Sequence, residues 1–203
     1  MTRKNVVIGV SSYSGGGKSS VALRLAEILD HASVIYTDDY DEFSVLPEDY
    51  EAWLKQGAPR SAFSRPLLAD HVHRLRSGES VAHPVTGEEI GATPFIVFDC
   101  PDGRSSEFQG AIDLMVFLDT PLDIAMARRI FRDYYGESQI LTELQSKALR
   151  SDLDGYMKYG RQAYLEMDKT VKPDCDLILD GTQSVEKLAE QIAVKARSLI
   201  TDR

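Results

Sequence analysis

The stretch IGVSSYSGGGKSSVALRLAEIL, residues 8–29, gathers the residue types best suited to chemistry on phosphate. Three consecutive glycines, Gly15, Gly16 and Gly17, precede Lys18 and Ser19, where an apolar helical periodicity begins. A strand entering such a turn and a helix leaving it turn successive backbone N–H groups, and the positive end of the helix, toward an anion. Ser14, Gly15, Gly16, Gly17, Lys18, Ser19 and Ser20 are therefore candidate nucleotide contacts. In that arrangement the β-phosphate lies in the cradle, Lys18 bridges β and γ oxygens, and the Ser19 hydroxyl ligates Mg²⁺. The pattern G-x-x-x-x-G-K-[ST] asks for glycine where Ser12 stands. That place serves mainly backbone conformation, and the three glycines supply much of the same freedom. The bland alternative is a flexible polar turn before a helix.

Three further groups could act on a phosphate held there. TDDYDEF, residues 37–43, follows a strand pattern, and at that end of a doubly wound sheet Asp38 and Asp39 face the binding crevice. Asp38 can take a proton from an attacking hydroxyl or help hold Mg²⁺; the alternative is a solvated acidic turn. FIVFD, residues 95–99, ends an apolar run on Asp99, a further candidate for the magnesium shell, although strands ending in Asp are common. RRIFRD places Arg128, Arg129 and Arg132 three and four residues apart on a helix. Guanidiniums so spaced repel one another and make sense beside a polyphosphate; otherwise they form a solvated face paired with Asp123 or Asp133.

These groups need a frame to position them. Residues 6–10, 33–37, 95–99, 114–118 and 177–179 read as strands, mostly unbroken apolar runs typical of a parallel sheet covered on both faces. Helical patterns occupy residues 18–29, 66–76, 121–134 after a Thr120 cap, 141–167, and 185–200 after a Ser184 cap. The length of 203 residues suits one domain, with residues 43–93, rich in Pro and Gly, as a substrate-side excursion and residues 128–140 as a lid.

Composition narrows the partners. A formal net charge of -9 makes phosphate attraction a local matter and argues against nucleic acid as a partner. The apolar run at the N-terminus is too short for a membrane span or an export signal, so the expected location is cytoplasmic. Cys100 and Cys175, far apart in sequence, read as buried reduced thiols. His31, His71, His73 and His83 lack partners at metal-ligand spacing. Tyr156, Tyr159 and Tyr164 read first as packing residues, with base stacking as the second choice. The sequence is compatible with a homo-oligomer and does not fix a copy number.

Taken in this order, the motifs make the chain resemble the uridine kinase and nicotinamide riboside kinase branch of P-loop small-molecule kinases. GVSSYSGGGKSS is similar to that family's phosphate loop, IYTDDYDEF to its second-strand motif, FLDTPLDIAMARRIFRD to its fourth strand and lid helix, and CDLILDGTQSVEKLAEQI to its last strand and helix. The resemblance implies a three-layer α/β/α P-loop fold with a five-stranded, mainly parallel sheet and a lid. It implies ATP and Mg²⁺ as cofactors, a small-molecule acceptor, Asp38 as general base, and Arg129 and Arg132 reaching the phosphates. The likeness covers residues 5–42, 94–133 and 173–198 and fades where acceptors are chosen. The family's acidic ribose segment is replaced by APRSAFSRP, with Ser61 and Ser64 at the corresponding places, and its Tyr-Asp-x-x-x-His-x-Arg stretch by HPVTGEEIGATPF. Phosphorylation of a nucleoside is the first expectation; a sugar or pantothenate-like acceptor, or a regulatory ATPase, remains open.

Overall fold

The structure is a computed structural model that describes residues 5–135 and 140–201. Five strands form one wholly parallel sheet: β1 (Val6–Ser11), β2 (Ser33–Tyr36), β5 (Phe95–Asp99), β6 (Leu114–Asp119) and β7 (Leu177–Asp180). Their spatial order is β2-β5-β1-β6-β7. A parallel pair needs a crossover, and the helices supplying these cover the sheet on both sides, which is why the strands read as apolar runs.

The alternation along β1 sorts the two cores. Val6, Ile8 and Val10 face the side covered by α1 (Lys18–Ile28) and α7 (Val185–Thr201), against Val21, Leu25, Leu188 and Ile192. Val7 faces the other side, with Ile96, Phe98 and Met115, under Leu68, Val72 and Leu75 of α3 (Pro66–Arg76). Each aliphatic side chain so buried contributes on the order of 1.5–3 kcal/mol. Three layers, α/β/α, follow directly.

Most of the expected elements are present, with instructive differences. The excursion at residues 43–93 holds α2 (Tyr50–Lys55), α3 and a minimal antiparallel pair, β3 (Val81–Ala82) with β4 (Glu89–Ile90). The second strand stops at Tyr36 because Thr37 already enters a short helical turn, Thr37–Phe43, and its hydroxyl donates to the Asp99 carbonyl. The helix read at 121–134 is α4 (Leu122–Ile130) followed by one wider helical turn, Phe131–Tyr135. Thr120 is not its cap: Pro121 occupies that position, and the Thr120 hydroxyl instead donates to the Gly16 carbonyl at 2.9 Å. The cap read at Ser184 is made, its hydroxyl oxygen accepting from the Lys187 N–H at 3.3 Å.

The single helix read at 141–167 is α5 (Glu143–Gly155) and α6 (Arg161–Thr170) joined through a wider turn, Tyr156–Gly160. Thr142 begins α5 with a reciprocal capping box to Gln145. Part of the expected lid, residues 136–139, lies outside the described residues, as do residues 1–4 and 202–203. No helix among the described residues is long and apolar enough to cross a membrane.

Candidate active site

The sheet register brings the chemistry to one edge. Asp99 is level with Val10 of β1 and Tyr36 of β2, so the glycine loop, the Thr37–Phe43 turn and the segment after β5 leave the sheet side by side. This is the crevice at the carboxyl ends of the strands, where open α/β sheets bind ligands.

The loop is tightly built. Gly15 has φ of 81°, and a Cβ there would lie 2.1 Å from the Ala125 carbonyl oxygen of α4, so no side chain fits. Ser12 is buried, and its hydroxyl donates to the Leu118 carbonyl at 2.8 Å, tying the loop to β6. Tyr13 donates to Asp168 of α6 at 2.5 Å and meets the Tyr164 ring at 5.4 Å. The residue at the missing glycine place is thus an anchor for the cradle.

At the loop's end Ser19 donates to Asp99 Oδ2 at 2.5 Å, and Lys18 Nζ is 3.8 Å from Asp99 Oδ1. Asp99 is 2 % exposed, and Oδ1 finds no hydrogen-bond partner among the described residues. Burial pushes its carboxyl up from the ordinary value, opposed by the Lys18 charge and the Ser19 hydrogen bond, and reinforced by the Asp38 charge. A buried carboxylate with an orphaned oxygen, beside a serine hydroxyl and a lysine, fits a hydrated divalent cation carrying phosphate oxygens. Asp38 is exposed and within electrostatic reach of both Asp99 and Arg132. Among the described residues no cluster of three or more His, Cys, Asp or Glu is arranged to hold a metal.

Arg129 and Arg132 share Asp133, while Arg128 turns to the loop after β7. Arg128 donates to the Gly181 carbonyl at 3.2 Å, beside the loop after β7. Arg129 pairs with Asp152 of α5 and lies 3.6 Å from Asp133; Arg132 donates to Asp133 at 2.6 Å. Carboxylates therefore balance Arg129 and Arg132 in this conformation, and reaching a phosphate means exchanging those partners. Asp39 faces His83 at 3.2 Å. Ser14 and Ser20 lie in and just beyond the cradle, Ser20 exposed on the first turn of α1.

Beside this crevice lies a cavity of about 600 Å³, walled by Tyr50, Trp53, Phe63, Tyr156, Tyr159 and Tyr164. That volume is within the range of small-molecule sites, roughly 300–1,000 Å³. Tyr50 and Tyr159 stack at 5.5 Å and 15°, while Trp53 meets Phe63 edge-on at 5.4 Å. Pro101 and Asp102, just past β5, and Arg129 line it as well, joining it to the phosphate side. Asp102 lies 3.3 Å from Arg65, and burial pushes its carboxyl up against the opposing charges of Arg65, Arg60 and Lys18. The sequence reading missed this wall because α2, the 60s, the β5 end and α5–α6 meet only in space. The tyrosines that read first as packing are both packed and cavity-lining.

Both cysteines are free; Cys100 is buried, whereas Cys175 is only half-buried. The thiol of each is pushed up, mainly by burial, that of Cys175 to about 11.

Comparison with known proteins agrees with this geometry. No family model matches the chain. A uridine kinase of Tolumonas auensis is 28% identical over 192 residues, 86% of this chain and 86% of the relative. A uridine kinase of Geobacillus kaustophilus is 26% identical over 219 residues, 100% of this chain and 99% of its own. A gluconokinase structure from Sinorhizobium meliloti shares the fold with a TM-score of 0.52 at 18% identity, covering 98% of this chain and 96% of that one. The chain resembles uridine kinases along its length and has the fold of P-loop small-molecule kinases.

Proposed function

We propose that this chain is a MgATP-dependent kinase that phosphorylates a hydroxyl of a small metabolite, a nucleoside such as uridine or cytidine being the first choice. The observation that carries this reading is the segment 99–102. Its Asp99 accepts from Ser19 of the cradle at 2.5 Å, while Pro101 and Asp102 line the aromatic cavity, so one short turn joins a phosphate site to an acceptor site. The curated relatives named uridine kinase support the nucleoside choice. A cytoplasmic setting goes with the two free thiols.

In this reading the loop from Ser14 to Ser20 holds the phosphates of ATP through backbone N–H groups and the N-terminus of α1. Mg²⁺, when bound by Ser19 with Asp99 and Asp38, would neutralise charge on the β and γ oxygens. Asp38 orients the acceptor hydroxyl and takes its proton as the new O–P bond forms and the bond from γ-phosphorus to the ADP oxygen breaks. Lys18, Arg129 and Arg132 balance the charge on the transferred group, and Arg128 borders the adenine side. Little covalent help is needed, so positioning and charge balance carry the rate. Removing one cationic contact costs on the order of 10²–10³ in turnover, by analogy with an oxyanion donor.

The test is ADP release with MgATP against uridine, cytidine, nicotinamide riboside, pentoses and pantothenate, beside Asp38→Asn. A nucleoside-dependent signal lost in Asp38→Asn, with MgATP binding retained, is the expected outcome. Slow release indifferent to every acceptor would refute the kinase assignment, and turnover surviving in Asp38→Asn would remove Asp38 as base.

A further inference from the structure

We propose that His83, in the β3–β4 hairpin, is a positioning residue: through Asp39 it sets the Thr37–Phe43 turn and hence the direction of the Asp38 carboxylate. Its part in phosphoryl transfer rests on the kinase reading above; the tie itself rests on geometry alone.

The hairpin uses every polar atom of His83 but one. Its N–H donates to the Glu88 carbonyl at 2.7 Å, and its carbonyl accepts from the Gly87 N–H at 2.9 Å. Pro84 has no N–H to offer, and the next two along the chain, of Val85 and Thr86, donate to ring Nδ1 at 3.2 and 3.3 Å. A ring nitrogen that accepts carries no hydrogen, so these two bonds assign the hydrogen to Nε2. Nε2 lies 3.2 Å from Asp39 Oδ2 and donates to it. Among the described residues this is the only side-chain hydrogen bond that leaves residues 82–90.

The receiving turn is pinned on both sides of Asp38. Before it, the Thr37 hydroxyl donates to the Asp99 carbonyl; after it, the buried Tyr40 hydroxyl meets His71 Nδ1 at 2.9 Å. Asp38 itself is exposed and accepts no hydrogen bond among the described residues. Its direction is therefore set by the backbone, which has two soft dihedrals per residue. Holding the side chain of Asp39 restrains the dihedrals next to Asp38 that Thr37 and Tyr40 leave free.

The hairpin can serve as the fixed point. Its strands pair over only two residues each, but Val81 is buried in the core with Leu68, Val72 and Leu75 of α3. His83 thus keeps the excursion at residues 43–93 in register with the turn that carries Asp38. Stability does not account for the pair. The His83 and Asp39 side chains are 24 % and 33 % exposed, a setting in which such a contact adds little to folding. Its loss is felt in geometry, where misplacing a reacting group by about 1 Å costs up to about 10²-fold in rate.

Two substitutions divide the bonds of the ring. Asparagine offers an acceptor at the place of Nδ1, keeping the hairpin and losing Asp39, whereas glutamine offers a donor at the place of Nε2 and keeps Asp39. Full-length His83→Asn, His83→Gln and Asp39→Ala are compared with the wild type by urea unfolding, by amide hydrogen exchange of residues 37–43, and by uridine-dependent ADP release with MgATP. In His83→Asn and Asp39→Ala the turn is expected to exchange about 10-fold faster. In both, kcat is expected to fall about 10- to 100-fold, with the KM for MgATP and the urea midpoint unchanged; His83→Gln is expected to recover most of both losses. Wild-type exchange or wild-type kcat in His83→Asn, or a His83→Gln no better than His83→Asn, would each overturn the proposal. Asp39→Ala breaks the same bond from the other side, so a His83→Asn that does not fold leaves the test intact. A wild-type protein without uridine-dependent ADP release would sink the kinase reading and leave the exchange rates to decide the tie; a working kinase indifferent to His83→Asn would do the reverse.

Discussion

Gly16 is required by Ser12, and replacing it tests how this chain builds a phosphate loop without the first glycine. A Cβ on Gly16 would fall 1.9 Å from Ser12 Oγ, 2.8 Å from Ser12 Cβ and 3.0 Å from the Tyr13 carbonyl oxygen. Relief needs a displacement of about 1.5 Å to reach ordinary contact, and Ser12 cannot simply rotate away. Its hydroxyl is buried on the Leu118 carbonyl at 2.8 Å, and abandoning that bond costs about 1 kcal/mol. Overpacking adds about 1–3 kcal/mol, offset by up to about 1 kcal/mol because alanine restricts the unfolded chain. Gly16→Ala is therefore expected to lose about 1–3 kcal/mol, which in a domain of this size lowers Tm by roughly 2–4 °C per kcal/mol. It is also expected to weaken MgATP binding, because the Gly16 N–H closes the turn by donating to the Tyr13 carbonyl at 2.9 Å, and shifting Gly16 displaces the cradle built on that turn. In a Ser12→Gly background the two shortest contacts disappear, so the same alanine should cost little. Urea unfolding of the two single variants and the double variant gives the coupling energy. Additivity within about 0.5 kcal/mol would refute the reasoning, because it would mean that the loop relaxes without regard to Ser12.

Two further outcomes follow from buried groups. Cys100 and Cys175 both have thiols pushed up by burial, Cys175 to about 11, so at pH 8 a thiol-specific reagent should label the native protein slowly and take up two equivalents only in urea; rapid native labelling of Cys100 would contradict its burial. His71 is buried, with Nδ1 2.9 Å from the Tyr40 hydroxyl, and burial lowers its pKa from 6.5, so the unfolded chain takes up a proton first as pH falls. Its contribution is present above about pH 6.5 and is lost as pH falls through the folded value, so unfolding free energy should drop across that window and drop less in His71→Gln. An identical slope in the variant would rule His71 out as the source.

Legibility followed the range of the interactions. Apolar runs and helical spacing are local, so the five strands and the bounds of Pro66–Arg76 could be read directly. The cradle could be read for the same reason: Gly15 to Ser19 are contiguous, and Asp99 closes a strand whose register the apolar pattern fixes. Thr120 misled because a threonine before a helix reads as a cap, whereas its hydroxyl is claimed by Gly16, 104 residues away. The arginines could be read in part: Arg129 and Arg132 meet Asp133, the partner their spacing offered, whereas Asp152, which also pairs with Arg129, stands on another helix and gives no local sign. The aromatic wall of the cavity was hidden most deeply. Besides Tyr156, Tyr159 and Tyr164, whose second reading was base stacking, a local sign of it was Asp49, whose side chain accepts from the Ala52 N–H at 3.0 Å and starts a helix that sets Tyr50 and Trp53 three residues apart on one side. Such a capped aromatic pair inside a stretch rich in Pro and Gly marks a short helix with something to cover. What it covers is Phe63 and Tyr159, contributed by separate segments of the chain. A glycine-rich cradle built from one turn can be read from sequence, whereas a cavity built from four separate segments becomes readable only once the fold has brought them together.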